Sequence, residues 1–226
     1  MTGSLVSAGT RRRVRDLATP IATALGRLGL TPNALTLIGF LGTCLAGWAA
    51  ANQAWLAAGI LVIGFGVFDL FDGALARATG TASRLGAFLD STFDRAGEVI
   101  VYLGIVWGTL DLGLQLPVVL AASALGAATL VSYVRAKSEG LGFTPGSGMA
   151  SIGLAPREVR IAILGLGLVI AGLLPGLPTD TDGAGGAAYP LSAVALNLSL
   201  GLITILATIT VIQRVVHVRA QSIRNP

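Results

Sequence analysis

Long apolar stretches recur along this chain and are separated by short polar segments. A helix needs roughly 20 mostly apolar residues to cross a bilayer. Six stretches meet this requirement, at 33–53, 55–78, 85–109, 115–136, 157–175 and 190–213. The pattern predicts an all-α integral membrane protein with six transmembrane helices.

A basic segment and an amphipathic stretch precede the first span. Four arginines lie within residues 11–15. Apolar side chains follow at helical spacing, at Leu17, Ile21, Leu25 and Leu28. This combination favours a juxtamembrane helix that lies on an anionic leaflet, with a solvated basic tail as the alternative. We therefore predict two parts: a basic segment with an interfacial helix over 1–30, and the six-helix domain over 31–226.

The composition supports this class of protein. Hydrophobic residues make up 54% of the 226 residues and charged residues only 12%, whereas about a quarter of a soluble domain is charged. The chain also contains 31 glycines, and small residues allow membrane helices to approach one another closely. The single cysteine, Cys44, excludes an intramolecular disulfide.

Positive charge is distributed unevenly between the two sides of the predicted membrane domain. All but Arg95 of the 15 Lys and Arg residues lie before span one, around the turn between spans two and three, around the loop between spans four and five, or after span six. The remaining loops contain Asp111, Asp180 and Asp182 but neither Lys nor Arg. By the positive-inside rule, both termini are cytoplasmic. We expect the protein to lie in the cytoplasmic (plasma) membrane, with its active site on the cytoplasmic side.

Four aspartates interrupt the second and third spans. Asp69 and Asp72 are spaced i, i+3, and Asp90 and Asp94 are spaced i, i+4, so each pair shares one helix face. A hairpin folded near residue 81 places Asp72 beside Asp90 and Asp69 beside Asp94. These carboxylates then lie roughly 13–20 Å along their helices from the turn, on the cytoplasmic side.

Converging carboxylates of this kind indicate a metal site. Four of them repel one another and cannot all stay ionised without cations. Hard oxygen ligands suit Mg²⁺, Mn²⁺ or Ca²⁺, and four carboxylates can hold two divalent ions, as in two-metal phosphoryl-transfer sites. The alternatives are Asp–Arg pairs that join the two helices, or the ion path of an ion-coupled transporter.

The aspartates belong to a longer pattern of fixed spacing. It reads Asp69-x-x-Asp72-Gly73-x-x-Ala76-Arg77, then eight residues, then Gly86-x-x-x-Asp90-x-x-x-Asp94. This pattern resembles the signature of the CDP-alcohol phosphotransferases. The segment Thr31-Pro32-Asn33, followed by Thr36, resembles the family's motif at the start of the first span. The six-span layout with a juxtamembrane helix is also similar to the family's.

The resemblance implies transfer of a phosphoalcohol from a CDP-linked donor, here CDP-diacylglycerol, to an acceptor hydroxyl, with release of CMP. By position, Asp69, Asp72, Asp90 and Asp94 would bind two divalent cations, Mg²⁺ or Mn²⁺, and Asp94 would also be the general base. The residues expected to bind the donor nucleotide are Asn33, Thr36, Gly73, Ala76, Arg77, Ser83 and Gly86. The family also implies a homodimer in a lipid membrane, and we expect no nucleic-acid partner.

A second group of basic residues bears on the acceptor. Lys137, Arg157, Arg160 and Arg214 lie at the cytoplasmic ends of spans four, five and six. The segments SYVRAKSEG and IQRVVHVR resemble parts of actinobacterial phosphatidylinositol-phosphate synthases, which implies that these side chains bind the phosphate of inositol phosphate. Arginine suits such a task through bidentate pairing. Glycerol 3-phosphate is the alternative acceptor, and charge that serves only topology is the alternative role.

Overall fold

The computed structural model describes residues 19–143, 152–174 and 190–224, and within these ranges it is entirely helical. Seven helices follow one another within these described ranges. They are α1 (19–27), α2 (Pro32–Ala51), α3 (Trp55–Thr79), α4 (Arg84–Asp111), α5 (Gln115–Gly140), α6 (Arg157–Leu173) and α7 (Leu191–Arg224). The predicted all-α class is confirmed, and each predicted span coincides with one helix from α2 to α7.

Four of the helices are long and apolar enough to cross a membrane: α2, α3, α5 and the Leu191–Ile223 part of α7. Of the six helices that match predicted spans, α4 and α6 are not among these four, for separate reasons. Helix α4 has 28 residues but carries Asp90, Asp94, Arg95 and Glu98 along its length. Helix α6 has only 17 residues, about 25 Å at 1.5 Å per residue.

Capping residues fix the turn between α3 and α4. Gly80 ends α3 in the left-handed conformation, with φ of 67°, which glycine adopts without the cost of a Cβ. Ser83 then begins α4, and its hydroxyl accepts a hydrogen bond of 3.0 Å from the Gly86 amide. Thr31 caps α2 in the same manner, with Pro32 in the first turn. The turn lies at 80–83, within the predicted 78–83, because residues 78 and 79 still belong to α3; it ends α3 and begins α4.

The helix packing corrects one expectation. Helix α2 packs against both α3 and α4, while α3 also packs on α6, α4 on α5, and both α5 and α6 on α7. Helices α3 and α4 are not among the packed pairs, although they are consecutive and antiparallel. They separate because α2 occupies the position between them on one side. The aspartates therefore face each other across a cleft rather than along a helix seam.

The described part of the N-terminal region is helix α1, which packs on the bundle through one side. Ala22 of α1 is buried against Leu35 of α2 and against Ala74 and Leu75 of α3. Ile21 lies on the other side of α1 and is exposed. The preceding residues, including the four clustered arginines and Leu17, lie outside the described residues. The packing places α1 beside the C-terminal half of α3, where Asp69 and Asp72 lie.

A glycine contact brings α2 and α4 unusually close. A Cβ added to Gly104 would lie 2.1 Å from the backbone oxygen of Gly47, a distance that real Cβ atoms do not reach. Gly126 of α5, in contrast, has open space around its missing Cβ. The α2–α4 packing therefore depends on glycine at position 104.

We expect Gly104→Ala to destabilise the protein, since forcing these backbones apart costs about 1–3 kcal/mol, or several degrees in Tm. Gly126→Ala is the control, and it should leave Tm unchanged or slightly raised because alanine favours helix. Thermal unfolding of both variants in the same detergent measures the difference. Equal midpoints for the two variants would contradict the close approach.

Candidate active site

The cleft between α3 and α4 brings Asp69 and Asp94 together. One nitrogen of Arg157, Nη2, lies 2.7 Å from Asp69 Oδ2 and 2.8 Å from Asp94 Oδ1. Two oxygens that share one hydrogen-bonding nitrogen lie side by side, so the predicted Asp69–Asp94 register is confirmed. Arg157 is the first residue of α6, and α6 packs on α3. The first turn of α6 therefore closes one side of the cleft.

Asp72 is the most buried of the four aspartates, with 6% of its surface exposed. Its Oδ2 accepts a hydrogen bond of 2.7 Å from Thr36 Oγ1 of α2, and its Oδ1 accepts one from the Gly73 amide. Asp72 also lies within electrostatic range of Asp90 and Asp69. Four carboxylates thus converge in one electrostatic environment, and Thr36 connects α2 to it.

Helix α2 can lie against the aspartates because of Gly39. A Cβ at this position would be 2.8 Å from Asp69 Oδ1. The sequence reading did not single out Gly39, although it follows Thr36 by three residues and so shares its helix face. Phe40 of α2 and Phe93 of α4 stack beside it, with ring centroids 4.9 Å apart. These side chains line a small cavity with Asp69, Asp94 and Arg157.

The residues predicted to bind the donor nucleotide fall into adjoining groups. A Cβ on Gly86 would lie 3.1 Å from Ser83 Oγ and 3.4 Å from Asn33 Oδ1, so these three residues meet where α2 and α4 begin. Gly73 leaves space that the guanidinium of Arg77 approaches, with Nη1 3.1 Å from the position of a Cβ. Arg77 itself is exposed, and Ala76 is half-buried beside it.

The four basic residues predicted to bind the acceptor phosphate are not gathered into one open pocket. Arg157 reaches into the aspartate cleft. Arg160 is only 2% exposed and pairs with Glu98 at 3.2 Å, while its Nη1 donates to the Ala155 carbonyl at 3.1 Å. Lys137 is exposed near the end of α5.

Arg214 has an internal role that the sequence did not reveal. It is 3% exposed, its Nε donates to the Ile152 carbonyl at 3.1 Å and its Nη1 donates to the Val131 carbonyl at 2.6 Å. These bonds join α5, α7 and the segment that leads into α6. Arg214 also lies within electrostatic range of Arg160 and Arg135. Positive charge therefore accumulates at this end of the bundle, although two of the arginines are already hydrogen-bonded inside it.

Glu98 and Arg95 form a charged group next to the aspartates that the sequence reading did not assign to the site. Arg95 pairs with Glu98 and donates to Ser132 Oγ of α5 at 3.0 Å. Glu98 follows Asp94 by four residues and so shares its helix face. A carboxylate within a predicted span, on the same face as the aspartates, could have indicated from the sequence that Glu98 belongs to the site. Together with Arg160, these residues connect α4, α5 and α6 below the cleft.

A second cavity lies between α3, α4 and α6. The charged side chains that line it are Asp69, Asp94, Glu98, Arg157 and Arg160. The Tyr102 hydroxyl and the Arg157 Nε are both buried and have no hydrogen-bond partner among the described residues. This cavity extends the polar interior of the site below the aspartates.

The donor atoms suit a divalent cation. Carboxylate oxygens are the ligands that Mg²⁺ and Mn²⁺ prefer, and here a cationic group, the Arg157 guanidinium, already lies between two of them. Across the described ranges, no set of three or more Asp, Glu, His or Cys side chains surrounds a single metal position. Arg157 engages two of the four carboxylates, those of Asp69 and Asp94, at once.

Comparison with known proteins identifies the family. The family model for CDP-alcohol phosphatidyltransferase matches residues 29–220, which include every residue of the aspartate pattern. The chain belongs to this family. The predicted enzyme class is therefore confirmed, and membership favours an enzyme over the transporter alternative.

Relatives of this phosphatidyltransferase are similar along nearly their whole length. The chain is 37% identical over 205 residues to archaetidylinositol phosphate synthase of Pyrococcus horikoshii, covering 91% of this chain and 92% of that one. It is 36% identical to phosphatidylinositol phosphate synthase of Cutibacterium acnes, covering 88% and 91%. The names of both relatives describe synthases whose product is an inositol phosphate lipid.

A solved relative shows the same architecture. The phosphatidylinositol phosphate synthase of Mycobacterium tuberculosis in complex with manganese and citrate matches with a TM-score of 0.72 and 28% identity, covering 89% of this chain and 88% of that one. The same enzyme with CDP-DAG bound also matches with a TM-score of 0.72, covering 90% and 94%. That relative therefore binds both a divalent metal and a CDP-linked lipid.

Proposed function

We propose that this protein transfers the phosphatidyl group of CDP-diacylglycerol to a hydroxyl of inositol phosphate and releases CMP. The observation that carries the proposal is the cleft in which Asp69 and Asp94 both contact the Arg157 guanidinium. The aspartate pattern of the chain also falls within the family match. The names of the relatives support an inositol phosphate acceptor, and the bound CDP-DAG of the mycobacterial structure supports the donor.

The donor nucleotide is proposed to lie at the entrance of the cleft. Asn33, Ser83 and Gly86 meet there at the beginnings of two helices, and helix N-termini favour negatively charged groups such as a diphosphate. Thr36, Gly73, Ala76 and Arg77 extend this surface along α2 and α3. Arg77 supplies a positive charge, and the two small residues leave room for the nucleotide.

The chemistry assigned to Asp94 is general-base catalysis. Its carboxylate accepts the proton of the acceptor hydroxyl, and the oxygen then attacks the phosphorus that bears the diacylglycerol. The bond from that phosphorus to the bridging oxygen breaks, and CMP leaves with the bonding electron pair. Asp94 suits this step because it lines both cavities together with Arg157, near which the acceptor phosphate is proposed to bind.

Asp69, Asp72, Asp90 and Asp94 are proposed to hold two divalent cations, Mg²⁺ or Mn²⁺. Bound there, the cations would offset the charge of the diphosphate and of the departing CMP. The hydrogen bond from Thr36 and the Gly73 amide orient Asp72 for this purpose. The manganese complex of the mycobacterial relative supports the assignment.

The acceptor phosphate is proposed to bind on the positively charged side of the cleft, near Arg157. Lys137, Arg160 and Arg214 complete the assigned group. Arg160 and Arg214 lie within electrostatic range of each other. Each is also tied to the bundle by internal hydrogen bonds, so these two would contribute mainly by their charge and by fixing α6 and α7.

We also propose that all of α2 to α7 span the cytoplasmic membrane, with both termini and the active site on the cytoplasmic side. The distribution of Lys and Arg supports this orientation. Helix α1 would lie along the cytoplasmic leaflet as a juxtamembrane helix. A homodimer is proposed from the family resemblance.

A turnover assay tests the substrate assignment. The purified chain, in detergent with Mg²⁺ and CDP-diacylglycerol, is given inositol phosphate, glycerol 3-phosphate, inositol or serine, and CMP release is measured. We expect turnover with inositol phosphate to be about tenfold or more above that with inositol or serine, since a charge-assisted phosphate contact contributes about 1.5–3 kcal/mol. The names of the relatives favour inositol phosphate over glycerol 3-phosphate. Preference for glycerol 3-phosphate would make the protein a phosphatidylglycerophosphate synthase. Equal turnover with inositol would overturn the phosphate assignment.

A further inference from the structure

Arg157 occupies a position that a metal would also need. Its Nη2 lies within 2.8 Å of one oxygen from each of Asp69 and Asp94, and all three side chains are at most a quarter exposed. In the described structure a positive charge from within the chain therefore offsets part of the charge of these carboxylates. The same two residues are among the proposed metal ligands.

A divalent cation and Arg157 cannot both keep these oxygens. Metal–oxygen distances are about 2.0–2.2 Å for Mg²⁺ and similar ions. A cation bound to the same two oxygens would therefore lie within about 5 Å of Nη2, where like charges repel strongly in a partly buried site. Either the guanidinium withdraws or the cation binds more weakly.

The surroundings of Arg157 allow it to withdraw while its helix stays in place. Its side chain lines both cavities, and its buried Nε makes no hydrogen bond with any described residue. One turn along α6, Arg160 is held by Glu98 through both Nε and Nη2, and by the Ala155 carbonyl. Arg160 thus anchors α6 to α4 independently of the aspartates.

We propose that Arg157 and a divalent cation compete for Asp69 and Asp94, and that metal loading releases Arg157 to bind the acceptor phosphate. This inference rests on the proposed metal site and gives Arg157 a second role within it. Because linked binding equilibria are reciprocal, metal should tighten acceptor binding and the acceptor should tighten metal binding by the same factor. The enzyme would then admit the acceptor after the metal.

Mn²⁺ affinity tests the competition directly, by isothermal titration of the full chain in detergent. Arg157→Gln should bind Mn²⁺ about tenfold tighter than wild type, within the usual range of coupling between sites. Arg95→Gln is the matched control. Arg95 lies within electrostatic range of Asp90 and Asp94, but its ion pair is with Glu98. It loses the same charge without freeing an aspartate, and in the wild-type chain Glu98 offsets that charge. The Mn²⁺ affinity of Arg95→Gln should therefore rise clearly less than that of Arg157→Gln.

Equal gains in the two variants would show a general field effect and overturn the competition, as would an unchanged or weaker affinity in Arg157→Gln. Failure of the wild-type chain to bind Mn²⁺ would instead overturn the proposed metal site. A second measurement needs no variant. Inositol phosphate should bind the wild-type chain about tenfold tighter with Mg²⁺ than with EDTA, and equal affinities would overturn the release of Arg157.

Discussion

Asp94→Asn is expected to lower turnover by about 10²–10⁴-fold, the range typical for removal of a general base. The amide has nearly the same shape as the carboxylate but cannot accept the acceptor's proton at neutral pH. Binding of CDP-diacylglycerol should fall far less, since Asn33, Ser83 and Gly86 meet near the start of α4, about 12 Å along the helix before Asp94. Steady-state CMP release and equilibrium binding of the donor measure the two effects separately.

Asp111→Asn provides the control for this variant. Asp111 is the last residue of the same helix, is exposed, and accepts a hydrogen bond of 2.7 Å from Gln53. It loses the same charge far from the cleft, so turnover should stay within about twofold of wild type, as for most surface substitutions. If Asp94→Asn reduced donor binding and turnover to the same degree, Asp94 would be a metal ligand and not the base.

The aspartate site was largely predictable because its determinants are local. Helical spacing fixes which residues of α3 share a face and which of α4 do. The length of the turn, set by Gly80 and Ser83, then fixes the register between them. The proximity of Asp69 and Asp94 could therefore be predicted without knowing how the other helices pack, and the structure places the two residues as predicted.

The partners of the arginines were not predictable in the same way. Arg157 and Asp69 are separated by 88 residues, and Arg160 and Glu98 by 62. Such contacts depend on which helices pack together, and apolar patterning shows that a helix is buried but not which helix it meets. From the sequence, the basic residues were therefore predicted to form a single phosphate-binding pocket. In the fold, Arg160 and Arg214 instead donate hydrogen bonds to backbone carbonyls inside the bundle.

The separation of α3 from α4 has the same origin. When the α3–α4 hairpin is considered without the other helices, its two helices are expected to pack directly on each other. Glycines on α2, such as Gly39 and Gly47, let that helix approach Asp69 and Gly104 and take the place that the hairpin partner would fill. A cleft therefore lies between α3 and α4, where direct helix packing was expected, and this cleft leaves space for a substrate.

Removal of the metal should abolish activity. A substitution at Asp90 is best suited to distinguish loss of the metal from loss of the fold. Asp69 and Asp94 are paired with Arg157, and Asp72 is hydrogen-bonded to Thr36. Asp90 instead experiences repulsion from Asp69 and only through-space attraction to Arg157 and Arg95. Its charge therefore adds little to the stability of the chain alone.

We accordingly expect Asp90→Asn to retain less than about a tenth of wild-type turnover, in line with loss of one metal ligand. Its Tm in EDTA should equal or exceed that of wild type, because one repulsive charge is gone. The rise in Tm that Mg²⁺ gives the wild-type chain should shrink in the variant, since a ligand stabilises the folded state only as far as it binds. EDTA should likewise stop turnover of the wild-type enzyme, and Mg²⁺ or Mn²⁺ should restore it. A variant that keeps its turnover, or one that loses turnover and Tm together in EDTA, would show that Asp90 supports the fold and not the metal.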